Sequence, residues 1–233
     1  MLEISLEKKT VLFVLVITSI ILTLINTILL FNQFYLGSTL KGLSWIFYVD
    51  GDNNIPTWFS SFALLFCSIL LGFIAVLKKK IVNFYSAKWF VLSTIFLLMS
   101  IDEVAMIHEK IGDLLDIPEL GGWLHYSWIV FGITLIVALG IYYFRFLLSL
   151  PRYFRNLILV SAGIFLAGAL GVEMINSRIE YTMGAENLTY ALMTTLEEFL
   201  ENIGVEIFAY SLLEYMSKSL ELRTIQISNV KKI

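Results

Sequence analysis

Residues 11–31 read VLFVLVITSIILTLINTILLF, an apolar run without one charged side chain. At about 1.5 Å per helical residue it covers roughly 30 Å, the thickness of the hydrocarbon layer of a bilayer. Comparable runs recur along the chain. They place six expected spans at about residues 11–31, 58–77, 89–108, 123–144, 157–175 and 188–215. The composition agrees: 58% of the 233 residues are hydrophobic and only 15% are charged, where a soluble domain carries about 25% charged. The expected fold class is an all-α integral membrane protein, a bundle of six transmembrane helices in a single transmembrane domain over residues 1–233. The first run lacks a small-x-small cleavage site, so it is expected to be retained. The single cysteine, Cys67, has no partner for an intrachain disulfide and reads as a small core residue.

Charge orients this bundle. Of the sixteen lysines and arginines, only Lys41, Lys110 and Arg178 fall on one side of the expected spans. The remainder lie on the other, which the positive-inside rule makes the cytoplasmic side, with both termini on it. Trp58, Trp89, Trp123 and Trp128 stand at run ends, where interfacial anchors are expected. No basic patch suggests nucleic acid. The expected localisation is the cell membrane, as a multi-pass protein.

Against this apolar background the acids stand out. Asp102, Glu103, Glu173, Glu197, Glu198, Glu201 and Glu206 lie inside expected spans, and no lysine or arginine lies there with them. Ionised groups at membrane depth are costly and mark function. Asp102 and Glu103 sit roughly 20 Å along their span, and Glu197, Glu198 and Glu201 lie about 14–20 Å down theirs, so acids from three helices reach overlapping depths. Asp102 and Glu109 share a helix face. Asn202 and Glu206 continue from Glu198 at four-residue steps. His108 points about 100° or more away from Asp102 and Glu109 on an ideal helix, and joins the site only if the helix loosens there.

Clustered carboxylates need protons or metal ions to neutralise them. Carboxylates with an imidazole suit iron, manganese or zinc, and di-iron bundles build sites from glutamates on facing helices. The expected metal ligands are Asp102, Glu103, His108, Glu109, Glu173, Glu198 and Glu201, with His108 and Glu197 as catalytic proton carriers. Glu173 and Glu206 also suit plain helix–helix hydrogen bonds. His125 reads as an interfacial histidine. Asp50, Asp52 and Asn53 read as a turn, with a lid or further ligands as the alternative. Gly163, Ala167 and Gly171 read as a close-packing stripe.

At Ser100-Ile101-Asp102-Glu103 with His108-Glu109, at Gly171-Val172-Glu173, at Leu196-Glu197-Glu198 with Glu201, and at Asn54-Ile55-Pro56-Thr57-Trp58-Phe59-Ser60-Ser61, the chain resembles a group of uncharacterised prokaryotic multi-pass membrane proteins. The resemblance covers most of the length and implies the six-span arrangement. It implies no activity.

Three functions fit these residues. The first expectation is a membrane-embedded, metal-dependent enzyme acting on a lipid or lipophilic substrate from the outer leaflet. The second is a cation or proton transporter using the same acids. The third is a non-catalytic subunit or sensor. Polarity reaching both faces would favour transport; the first, second and fifth spans are almost wholly apolar, which favours a pocket open to one side. The lack of proline or glycine breaks in the third and sixth spans also counts against a transporter with unwound helices. The lipid bilayer, a lipophilic small molecule or cation, and a second copy of the chain are the expected partners.

Overall fold

The computed structural model describes residues 2–4, 7–37, 41–51, 53–80, 85–114, 120–220 and 225–227. The apolar runs are helical, the form in which a segment in lipid satisfies its own backbone groups. In chain order the helices are α1 (Lys8–Leu36), α2 (Lys41–Phe47), α3 (Ile55–Lys80), α4 (Ser86–Ala105), α5 (Ile107–Leu114), α6 (Trp128–Ser149), α7 (Arg152–Leu166), α8 (Glu173–Met183) and α9 (Leu188–Ser219). A π-helical turn, Ala167–Val172, joins α7 to α8 without a break. Two three-residue strands, β1 (Leu2–Ile4) and β2 (Ile225–Ile227), pair antiparallel.

Among the described residues, four helical stretches are long and apolar enough to cross a membrane: Lys8–Leu36, Ile55–Lys79, Trp128–Ser149 and Arg152–Met183. They correspond to the first, second, fourth and fifth expected spans. α4 and α9 match a span in length, at 20 and 32 residues, but carry more charge. α4 holds Lys88, Asp102 and Glu103; α9 holds Glu197, Glu198, Glu201, Glu206 and Glu214. The two helices that fall short as plain apolar spans are the two richest in embedded acids.

α9 is the axis of the bundle and packs against α1, α3, α7, α8 and the π turn. α3 and α4 form an antiparallel hairpin clasped by two serine pairs. The hydroxyls of Ser61 and Ser100 each donate to the other residue's carbonyl at 2.8 Å, and Ser68 and Ser93 repeat the exchange at 2.7 and 2.8 Å. Such small polar residues let helix backbones approach in lipid.

Two expectations change in the packing. Trp89 is not an interfacial anchor: it is 2% exposed and wedged between Phe146 and Tyr215. Nor do Gly163 and Gly171 mediate close packing, since a Cβ on either would meet nothing within 4 Å. The close approach uses Gly168 and Gly204 instead. A Cβ on Gly204 would stand 2.8 Å from the Phe165 nitrogen, and one on Gly168 would stand 2.8 Å from the Glu197 carbonyl. The hydroxyl of Ser161, donated to the Gly204 carbonyl at 2.9 Å, sets which face of α7 meets α9. Small size alone does not.

The basic helix ends gather at one end of the bundle. Lys8 at the start of α1 and Lys218 at the end of α9 both pair with Glu214, which is 3% exposed. Lys88 on α4 donates to the Tyr142 carbonyl of α6 at 2.8 Å. Lys218 lies over the Tyr153 ring of α7, and Lys78 of α3 over that of Tyr215.

Candidate functional site

The acids collect toward the opposite end. α4 stops at Ala105, three residues short of the expected end of that span, because Met106 takes a left-handed conformation (φ 50°). That geometry costs an L-residue about 1–2 kcal/mol. Asp102 compensates locally. One carboxylate oxygen accepts the backbone N–H of His108 at 2.8 Å, and the other lies 2.7 Å from His108 Nδ1. The Met106 N–H returns to the Asp102 carbonyl at 2.7 Å. Asp102 therefore caps α5 and orients the imidazole. The loosening that His108 needed to join Asp102 is present.

From His108 the polar groups continue across the bundle. Its ring meets the Trp128 ring edge-on at 5.0 Å, and the Trp128 indole N–H donates to Glu173 at 3.2 Å. Glu173 of α8 lies beside Glu197 of α9. Asn176 donates to both Glu197 (2.9 Å) and Thr194 (3.1 Å), and its own Oδ1 is buried without a partner among the described residues.

Glu198 borders two narrow crevices. In one it faces Glu103 and Glu201, with Ser60, Phe165 and Asn202 completing the wall. In the other, between α1 and α9, it is joined by Ser19, Thr23, Val49, Pro56 and Asn202. Asn202 accepts the Ser60 hydroxyl at 3.1 Å and so ties the two together. Below Asn202, Glu206 is wholly buried and accepts the Ser19 hydroxyl. This last link was hidden in the sequence. Ser19 and Asn26 are isolated polar residues in an apolar run, yet they share one stripe with Leu15, Leu22 and Leu30, the buried face of α1. Asn26 donates to Thr195 at 2.9 Å. Polar residues at that spacing inside a span are the signal that could have found this face.

The loop before α3 covers this end. Asn54 accepts the Thr57 N–H at 3.1 Å and caps α3, while its amide donates to the Tyr48 and Gly51 carbonyls. The Tyr48 hydroxyl donates to Asp50 at 3.1 Å. Burial, then the Asp50 carboxylate, push the Tyr48 hydroxyl well above the usual phenol range. Asp50 also lies within electrostatic reach of Glu198. Tyr126 is held above its ordinary range by burial and by Glu180, to which it donates. His125 lies between the rings of Tyr126 and Tyr181. Asp52 and the side chain of Glu109 lie outside the described residues.

The expected metal ligands are thus neighbours, but among the described residues no three acidic, histidine or cysteine side chains converge as a ligand set. Asp102 is turned to His108, Glu173 to Trp128, and Glu197 to Asn176.

The chain belongs to the family described as a domain of unknown function, DUF8692, which matches residues 11–215. No curated protein matches it, and no solved structure does.

Proposed function

We propose that this is a multi-pass protein of the cell membrane that moves protons or another small cation along a carboxyl-lined path on α9. The observation that carries this reading is the column Glu198–Asn202–Glu206, which continues from the acid-rich crevices to Ser19 on α1. To the four-residue steps read in the sequence the structure adds a partner on α1, Ser19. Two further features favour transport. The third expected span is broken at Met106 without glycine or proline, and the fifth contains the π turn whose Gly168 packs against Glu197. Interrupted helices beside ion-binding groups recur in transporters, and π turns recur at functional sites.

Six spans with both ends cytoplasmic complete the proposal. The pairing of Lys8 and Lys218 with one Glu214 supports termini on the same side, and an even number of crossings then follows. α4 and α9 supply the two crossings beyond the four apolar helices. Their acids face protein and crevices, the arrangement expected of polar groups in a membrane.

The test is ion flux into liposomes holding the purified protein. Proton or cation entry should occur with the wild type and stop with Glu198→Gln. If the wild-type protein moves no ion under an imposed gradient, the transport reading is wrong.

A second reading has one observation in its favour. The Asp102–His108 pair has the form of an imidazole oriented by a carboxylate, the arrangement in which metal-ligating histidines are commonly held. A metal-dependent enzyme acting on a lipophilic molecule from the outer leaflet would use it, with iron, manganese or zinc drawn in by Glu103, Glu198 and Glu201. Elemental analysis of protein purified without chelator tests this reading, and a metal-free, flux-competent protein would exclude it.

A further inference from the structure

We propose that Glu206 is the deepest proton-binding station of this path, so that the cargo is the proton and not a metal cation. The inference rests on the transport reading and names its substrate.

Glu206 has 0% exposure. One oxygen accepts the Ser19 hydroxyl, and the other has no partner among the described residues. Among the described residues, the elements packed against this stretch of α9 bring no balancing charge. α1 supplies Ser19. α3 supplies Cys67, whose thiol donates to the Val205 carbonyl at 3.6 Å. α7 supplies Ser161, whose hydroxyl is donated to Gly204. No lysine, arginine or histidine among the described residues acts on Glu206. A buried carboxylate without a counter-charge is far more costly than an unmatched neutral hydroxyl. A hard divalent cation is no substitute, because it takes about six oxygens or more. Glu206 and Ser19 offer far fewer.

Access comes from the crevice, which Ser19 lines together with Glu198 and Asn202. A hydronium ion arriving there gives a proton to the Ser19 hydroxyl as Ser19 passes its own to the Glu206 carboxylate, and a water is left behind. The later step breaks that O–H bond, passes the proton to water on the lysine-rich side and regenerates the carboxylate. Nothing is oxidised or consumed. In the present conformation that exit is closed. The two turns between Glu206 and Glu214 carry Ala209, Leu212 and Leu213, which belong with Leu15 of α1 to one buried apolar cluster, and the Ser211 hydroxyl is spent on the Phe208 carbonyl.

The experiment uses the full chain in liposomes with an internal pH dye and a clamped potential, and infrared spectra of the same samples. Glu206→Gln should cut proton flux about a hundredfold, as loss of a positioned proton carrier does. It should also remove a buried-carboxyl C=O band that Ser19→Ala only shifts. Cys67→Ala should keep wild-type flux. Wild-type flux in Glu206→Gln, or no buried-carboxyl band in the wild type, overturns the assignment. Transport of sodium or manganese without protons overturns the cargo and leaves the transport reading standing. No flux of any ion removes both. If Glu206→Gln does not fold, Ser19→Ala decides: an unshifted band and full flux would overturn the station.

Discussion

The carboxylate of Asp102 holds His108 twice, by the backbone N–H at 2.8 Å and by the imidazole Nδ1 at 2.7 Å. Both bonds exist only because the helix breaks between them.

Removing that carboxylate should therefore loosen the break. Asp102→Ala is expected to cost about 1–2 kcal/mol, the usual loss for a helix cap, and Asp102→Asn less. Met106→Gly should be neutral or stabilising by up to ~1 kcal/mol, because glycine adopts the left-handed conformation freely. Melting curves in one detergent would compare the three. A destabilised Met106→Gly together with an unaffected Asp102→Ala would contradict this account of the break.

Helix packing offers a sharper contrast between two glycines. Gly204→Ala would drive a methyl against the backbone of Phe165 and should cost about 1–3 kcal/mol, as overpacking does. Gly163→Ala meets nothing within 4 Å and should gain a few tenths to ~1 kcal/mol from helix propensity. Equal melting temperatures for the two variants would show that α7 and α9 do not meet as described.

The serine clasp between α3 and α4 predicts coupling. Ser61→Ala and Ser100→Ala each remove one hydroxyl of a reciprocal pair. A double-mutant cycle should return an interaction of about 0.5–1.5 kcal/mol. Strict additivity would mean that the hydroxyls bond only to their own helices.

Topology is tested by labelling in a Cys67→Ala background, where the natural thiol, 0% exposed, no longer interferes. Lys79→Cys should react only from the cytoplasmic side and Glu186→Cys only from outside. Reaction of position 79 with an impermeant reagent on intact cells would reverse the assigned orientation.

Much of this was legible in the residues. Uninterrupted apolar runs make the long helices unavoidable, and counting turns places Glu103, Glu198 and Glu201 at a common depth, where they line one crevice. What stayed hidden depends on partners. No glycine or proline marks the break at Met106; what holds it is the Asp102 carboxylate, which accepts an N–H six residues ahead. Trp89 reads as an anchor until Phe146 and Tyr215 enclose it. Ser19 looks incidental until Glu206, 187 positions away, meets it. Spacing along a helix also does not contain side-chain direction, which turns Asp102 to His108, Glu173 to Trp128 and Glu197 to Asn176.

The pairing of Lys8 and Lys218 with Glu214, with the β1–β2 pairing beyond it, closes the chain almost into a loop. Residues 2–4 and 225–227 are neighbours, so the chain can be joined there and opened elsewhere. A circular permutant joined by a short linker from β2 to β1 and reopened at the turn between α6 and α7, near Leu150 and Pro151, would keep every helix in place. It would enter the membrane with α7 first and α9, the acid-bearing axis, early in synthesis instead of last. The order in which the helices are made could then be separated from the bundle they build.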